Sequence, residues 1–552
     1  MEEKILKTVL VAFNARFSHS SLALRYIKAY NSEKNIEIAE FSINDHIHYA
    51  YSELLKKDGD MYCFSVYIWN LEITLKVAQM LKKAKPEAVI TFGGPECSYC
   101  PEEIFEKHSF VDYILRGEGE VITGLLIDAL EKGEAVNIKG VAKRGDVSEI
   151  ADCVCLDSIK FPYETFEGLE NKIVYFETSR GCPFRCSYCL SSIEKGIRYF
   201  SMEYVKKGFD AFFENNIPLV KLIDRTFNAD SKRAVEIINY IIENSKCTKV
   251  HFEIDPGILT DEVTDALANA PKDLFQLEMG IQSVNPETLK AVNRNENLEK
   301  VAQNIAGLKK ADNMHIHLDL IAGLPFEGYK SFSDSFNYVY SLKPDMLQLG
   351  FLKVLHGTPI QENGDIVYAD FPPYEVISTK WITPREICRL KLIDRAVDAI
   401  NNSGAFKRTV AKLVGENAFG FFEKISVIFD TNKMLSRFDI YGEIYKIFGD
   451  VVYEELCLDF MENCRNRPMP SFAQIKYPEG FKKTCAKLFE DGKIPDYVRF
   501  EPIGNKVYMM DYKNKILEEI KKCFEKHINS RSTLSAPVVD RRLPPASINP
   551  QS

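Results

Sequence analysis

The chain reads as an α/β protein in three parts: an N-terminal doubly wound parallel sheet, a central partial (β/α)6 barrel and a mostly helical C-terminal domain. Three observations predict this. Apolar strand-like runs alternate with helical periods up to about residue 150, a second alternation begins near Lys172, and strand signals fade after about Pro372. At 552 residues the chain is also too long for one ordinary core.

In the first block, residues 1–150, "KTVLVAFNA" is a continuous apolar run of buried-strand type and "SLALRYIKAY" has helical period. "IEIAEFSI" and "MYCFSVYI" are strands, "ITLKVAQMLKKAKP" a helix, and "AVITFGGPE" a strand ending in a glycine turn. "VDYILRGEGE" and a helix from about Val121 close the block. Strands separated by helices give a parallel sheet with right-handed crossovers, and ligands bind beyond the carboxyl ends of such strands. The turns "NARFSHSS", "YIWN", "GGPE" and "RGEGE" are therefore expected to line one crevice.

A linker over 151–171 leads to the barrel, residues 172–365. Its strands are "KIVYFETS", "LVKLIDRTF", "VHFEIDPG", "LFQLEMGIQS", "HIHLDLIAGLP" and "MLQLGFLKV", separated by helices such as "SKRAVEIINYIIEN". Six such units predict a barrel or partial barrel with its chemistry at the C-terminal strand ends. Residues 366–529 are mostly helical and carry no motif for a reaction, which suits a cap or partner surface. The last stretch, 530–552, has no Lys, four Pro and no helical period, and reads as a disordered or vector-derived tail.

Composition excludes several classes. Hydrophobic residues at 45% and charged residues at 27% fit a soluble globular protein. A net charge of −9 argues against a broad footprint for duplex nucleic acid. No apolar run approaches the ~20 residues of a membrane span, and "MEEKILKTVL" does not read as a secretory signal, so a cytoplasmic location is expected. The fourteen cysteines are spread through apolar segments and read mostly as buried thiols. "CSYC", with Cys97 and Cys100, is a C-x2-C pair without a partner pair, and reads as a loop with two thiols.

"GCPFRCSYC" is different. It places Cys182, Cys186 and Cys189 at C-x3-C-x2-C directly after the first barrel strand. Structural zinc commonly takes four ligands in two pairs, and no matching pair follows. Three cysteinates on a tight loop suit three corners of a [4Fe-4S] cluster whose fourth iron keeps an open position. "SRGCPFRCSYC" resembles the signature of the radical S-adenosylmethionine (SAM) superfamily, with Tyr188 at the aromatic position. The resemblance implies a [4Fe-4S] cluster on the three cysteines, SAM on the open iron, an external electron donor such as flavodoxin or ferredoxin, and a 5′-deoxyadenosyl radical as the reactive species.

The other strand ends extend this resemblance. "LEMGIQSVN" is similar to the segment that meets the SAM ribose and methionine, which makes Gln282 and Ser283 candidates. "IHLDLIAGLP" is similar to the adenine-packing segment, with Gly323 giving close approach, and "FLKVLHGTP" to the segment that closes the SAM site around Gly357. "KLIDRTFNAD" resembles a D-x-x-F form found beside cobalamin-type domains, which points to Asp224, Arg225 and Asn228. Each of these alone is served equally well by a packed barrel core. Glu253, Asp255 and Tyr175 are candidates for holding substrate.

Residues 1–150 resemble the cobalamin-binding domain found upstream of many radical SAM barrels. "INDHIHYAYS" nevertheless lacks the D-x-H-x-x-G of histidine-ligated cobalamin proteins, so ligation by His46 or His48 is unsupported. Two alternatives stay open: corrin held with no protein ligand, or a fold retained without the cofactor. Tyr67 and Trp69 could stack on a corrin or fill its space. With the histidine motif missing, the reading leans to hydrogen abstraction that cleaves or rearranges a small-molecule substrate. A lyase on a modified nucleoside, of the queuosine or queuine salvage type, is suggested by overall resemblance alone. The alternatives are a cobalamin-dependent methyltransferase, a tRNA- or protein-modifying enzyme, and a cluster protein that only transfers electrons.

Overall fold

Alternating burial along single strands explains how the two sheets are packed. A computed structural model describes residues 5–193, 196–473, 475, 477, 479–490 and 495–520. The expected tail at 530–552, and the expected helical domain from 521 onward, lie outside the described residues. The chain divides into two units, one up to Asp394 and one from Arg395.

The first unit opens with β1 (Thr8–Asn14), β2 (Ile36–Ser42), β3 (Met61–Ser65), β4 (Val89–Gly93) and β5 (Tyr113–Leu115), parallel in the order β2-β1-β3-β4-β5. β6 (Val141–Lys143) closes the sheet antiparallel to β5. Val9, Val11 and Phe13 enter one apolar core and Leu10 and Ala12 another. A strand buried on both faces needs helices on both sides, which is why β1 is a continuous apolar run rather than an alternating one. Strand order reverses between β1 and β3, which opens a crevice beyond their carboxyl ends.

After β7 (Val174–Phe176) the chain forms a small antiparallel hairpin of β8 (Ser179–Cys182) and β9 (Gly196–Tyr199). The second sheet then continues through β10 (Leu219–Leu222), β11 (Lys249–Glu253), β12 (Phe275–Gln282), β13 (His315–Ala322) and β14 (Met346–Phe351), all parallel and beside β7 in chain order. These are the six expected barrel strands. On β12, Phe275, Leu277, Met279 and Ile281 are buried, while Gln276, Glu278, Gly280 and Gln282 are only half-buried. β13 repeats the pattern with His317 and Asp319 on the half-buried face. One face of the sheet is thus apolar and the other polar, so the polar face is not filled as a packed core would be. A hairpin of β15 (Ile366–Tyr368) and β16 (Val376–Thr379) follows.

The second unit is mainly helical, as expected, with helices Lys407–Leu413, Ala418–Ser426, Arg437–Phe448 and Tyr453–Asn463. Buried Asp459 pins two of them, accepting from the Thr409 amide and hydroxyl at 2.8 Å each. It also holds an antiparallel sheet of β17 (Val498–Ile503), β18 (Lys506–Asp511) and β19 (Ile516–Ile520). That sheet was not expected, although the two-residue Gly504-Asn505 turn between alternating runs is a hairpin signal. Among the described residues no helix is long and apolar enough to cross a membrane.

Candidate active site

The three-cysteine loop is held open by backbone geometry. Gly181 has φ +92°, and a Cβ there would lie 2.2 Å from the Gly196 carbonyl oxygen across the β8–β9 hairpin. Only glycine permits that approach. Downstream, the Ser187 amide donates to Val292 O and the Ile360 amide to Ser187 O, which ties the loop to the ends of other barrel units. Cys182 Sγ lies 3.4 Å from Thr226 Oγ1, and Cys186 Sγ 4.0 Å from an Arg294 nitrogen. Burial pushes the Cys186 thiol up, and the Arg294 charge pulls it back.

Tyr188 is half-buried and hydrogen-bonded to both Cys186 and Arg294. Arg294 also donates to Gly280 O at 2.5 Å and pairs with Asp255 at 3.3 Å and with Glu296. It is therefore a cation beside the cysteines, and sequence reasoning missed it because Cys186 and Asp255 lie 108 and 39 residues away in the chain. Arg180 was missed for the same reason. Its guanidinium lies 2.7 Å from Glu177, 2.6 Å from Glu120 and 3.2 Å from Glu118, stacked on the rings of Tyr26 and Phe200. Glu118 and Glu120 belong to the "RGEGE" turn of the first sheet. The residue two before Cys182 thus bolts the cluster loop to the N-terminal domain.

The expected site residues separate into two groups. Asp224 is buried and accepts from the Thr178 amide and from the Thr178 and Ser179 hydroxyls at 2.6–2.8 Å. Asn228 exchanges hydrogen bonds with the Asp255 backbone, donating at 2.8 Å and accepting at 2.9 Å. Asp255 accepts from the Gly257 amide and pairs with Arg294. Ser283 is buried and donates to Glu327 at 2.7 Å. These four pin strand ends to one another. Gly323 packs against Val376, and Gly357 against the Tyr99 ring, each with a positive φ.

The second group is not locked into such strand-end pairings. Gln282 holds φ +67° at a bulge in β12, and its Oε1 is buried with no hydrogen-bond partner. An orphaned acceptor at a strand end fits a ligand donor such as a ribose hydroxyl or an ammonium group. Tyr175 and Arg225 line the large cavity described below. Glu253 lies on the polar face of the second sheet opposite Glu278, which in turn is opposite His317. Burial raises the Glu253 carboxyl. Burial also raises Glu278, yet its hydrogen bond from His251 (3.1 Å) and the Lys221 charge (3.3 Å) hold it down at about 2. Burial lowers His317 to about 4 and, with the Glu278 and Glu253 charges, drives Asp319 well above the carboxylate range. One fixed anion and one neutral acid, side by side, can recognise donors and acceptors on the same substrate.

The carboxyl edge of the first sheet meets the three-cysteine loop across one cavity of about 700 Å³. All four expected turns contribute to it, through Asn14 and His19, Tyr67 and Trp69, Gly94, and Gly117 to Glu120. Gly181, Leu190 and Ser191 supply the opposite wall. Tyr67 and Trp69 stack face to face at 4.3 Å and 7°. Tyr175 Oη is 2.7 Å from His19 Nδ1, joining barrel to first domain. His46 and His48 stand exposed at the start of helix Ile47–Lys57 and are not among the residues lining this cavity.

Comparison with known proteins agrees with this layout. The Radical SAM superfamily matches residues 176–339, the B12 binding domain residues 8–126, and a protein family of unknown function (DUF4080) residues 362–533. The chain is 26% identical over 305 residues to the 2-(S-pantetheinyl)-carbapenam-3-carboxylate methyltransferase of Streptantibioticus cattleyicolor, covering 50% of this chain and 44% of that protein. It is 27% identical over 306 residues to the cobalamin-dependent radical SAM methyltransferase TokK of Streptomyces tokunonensis, with the same coverage. It therefore spans less than half the length of these relatives. The cobalamin-dependent SAM radical enzyme OxsB shares the fold at TM-score 0.62 and 14% identity, over 88% of this chain and 84% of that one. The radical SAM methyltransferase TsrM of Kitasatospora setae does so at 0.58 and 15%, over 67% and 79%. A radical SAM domain works with a [4Fe-4S] cluster and SAM. The chain carries a radical SAM domain preceded by an N-terminal B12-binding domain.

Proposed function

We propose that the protein is a cobalamin-dependent radical SAM methyltransferase that acts on an unactivated carbon of a small-molecule substrate. The observation that carries this reading is the shared cavity, which puts the ligand edge of the first sheet and the three-cysteine loop on facing walls. The methyltransferases among the relatives support it over the lyase and queuosine-salvage reading, to which none of the relatives named above lends support. In this reading cobalamin supplies the methyl carrier and SAM the hydrogen-abstracting radical.

The residues then divide the work. Cys182, Cys186 and Cys189 hold the cluster, with the Arg294 cation beside Cys186 offsetting its negative charge. Gln282 orients SAM by its free acceptor. Tyr67 and Trp69 give a flat wall for a corrin face, and no histidine ligand is required of His46 or His48. Glu253, Glu278 and Asp319 on the polar sheet face grip the substrate's polar groups. Arg180 keeps the two walls in register, so that the radical stays away from water. Barrel 172–365 and first domain 1–150 thus act as one catalytic body, with electrons from an external donor of the flavodoxin or ferredoxin kind.

The test is the corrin content of protein made anaerobically with cobalamin supplied and freed of loose corrin. The expected result is about one corrin per four irons, with label from methyl-labelled SAM reaching a small-molecule product. Iron without corrin overturns the reading.

A further inference from the structure

The C-x2-C pair at Cys97 and Cys100 has no part in the site above, yet one of its thiols is not isolated. Cys97 is buried and its Sγ donates to Gly94 O at 3.4 Å. Cys100 Sγ likewise donates to Glu96 O at 3.1 Å, but it also shares a small space with Glu103 and His356, and the donor atoms of the three lie within 4.8 Å of one another. The geometry points to a zinc site made by Cys100 Sγ, a Glu103 carboxylate oxygen and a His356 ring nitrogen, which clamps the turn after β14 to the first domain.

The chain places these donors from two directions. Cys100 caps the N-terminus of helix Pro101–Lys107, and Glu103 follows three residues later on the same side of the turn. His356 comes from the turn after β14, where the neighbouring Gly357 packs its Cα against the Tyr99 ring; a Cβ there would lie 2.7 Å from it. That close packing brings the imidazole onto the helix. Thiolate, imidazole and carboxylate together are the ligand set of zinc rather than of magnesium or calcium, which prefer oxygen alone.

Size agrees as well. Bonds of about 2.0–2.3 Å to a tetrahedral ion set its donors about 3.4–3.8 Å apart. Closure therefore asks the three side chains to draw in by at most about 1 Å, and Glu103 is exposed and free to do so. Its ion pair with Lys107, 2.5 Å long and exposed, is a weak competitor. Binding releases the Cys100 proton to solvent and leaves the fourth position to water. None of the three residues lines the large cavity, whereas Ser98 and Tyr99 do. The ion is thus a brace behind the cavity wall.

The experiment uses protein with its iron cluster reconstituted, equilibrated with zinc and freed of excess, with zinc and iron measured per chain by mass spectrometry. Wild type is expected to hold about one zinc. Cys100→Ser and His356→Gln should each lose it with iron per chain unchanged. Cobalt(II) in place of zinc should give a thiolate charge-transfer band that Cys100→Ser abolishes. Absence of zinc in wild type, retention in both variants, or loss of zinc only with Cys186→Ala overturns the assignment. If either variant also loses iron, the exposed Glu103→Gln carries the test, with zinc affinity against a competing chelator expected to fall about tenfold or more; an unchanged affinity refutes the site.

Discussion

Arg180→Met is the most searching test of how the site is assembled. The guanidinium is shared by Glu177, Glu120 and Glu118 at 2.6–3.2 Å, and all four side chains are at most 13% exposed. Glu118 keeps Arg198 as a partner, but Glu177 and Glu120 lose their cation. Leaving the buried Glu120 charge unpaired costs about 3–5 kcal/mol. With a denaturant dependence of about 3 kcal/mol per molar, the urea midpoint falls by roughly 1 M or more. Both tryptophans, Trp69 and Trp381, lie in the first unit, so their fluorescence reports on it alone. The loss also depends on pH. Burial, against the pull of Arg180, holds the Glu177 carboxyl at about 7 from an ordinary 4.5. The folded protein therefore keeps a proton that the unfolded chain releases between these values, and stability falls as pH rises through that window. Without Arg180 the folded value moves higher. The deficit of the variant is then constant below about pH 7 and grows above it by up to about 1.4 kcal/mol per unit. Measured at pH 6 and pH 8, the gap should be wider at pH 8, and iron per chain should fall. Arg180→Lys, which keeps the charge and loses the fork, should sit between. A midpoint within a few tenths molar of wild type at both pH values, with full iron, would refute the reasoning.

Three further outcomes are expected. Cys186→Ala should abolish both the brown colour and 5′-deoxyadenosine formation, and retention of either removes the cluster assignment. Gly181→Ala forces a Cβ to within 2.2 Å of a backbone oxygen that cannot swing aside; iron content should drop severely while the second unit keeps its circular dichroism, and normal iron would show that the hairpin does not shape the loop. Glu327, buried beneath the Ser283 and Ser335 hydroxyls, has its carboxyl pushed up to about 7 by burial. It therefore removes about 3 kcal/mol of stability as pH rises from about 4.5 to about 7, and Glu327→Gln should flatten the pH dependence of the urea midpoint by that amount; an unchanged slope would mean that the carboxyl is ionised throughout.

What was legible in the sequence follows the range of the interactions involved. The strands were legible because side-chain period is a local property: Phe275 to Gln282 alternates, and Thr8 to Asn14 does not. The cysteine loop was legible because the chemistry of three thiolates needs them within a few residues. Polar residues at strand ends were another matter. Asp224 and Arg225 are adjacent, yet one is sealed by Thr178 and Ser179 from 46 and 45 residues away, while the other lines the cavity. No local signal separates a strand end that holds a ligand from one that holds its neighbour.

The same limit explains why the arginines were missed, and it bears on how the site works. Arg180 and Arg294 flank the cysteine loop, one answering to the first domain through Glu118 and Glu120, the other to the barrel through Gly280 and Asp255. The loop carries three cysteines and one glycine, and backbone hydrogen bonds at Ser187 tie it to Val292 and Ile360. Its position is set by two buried cations whose partners lie on the two bodies that form the cavity. Displacing either body is therefore expected to move the cysteines, and loss of iron per chain would report it.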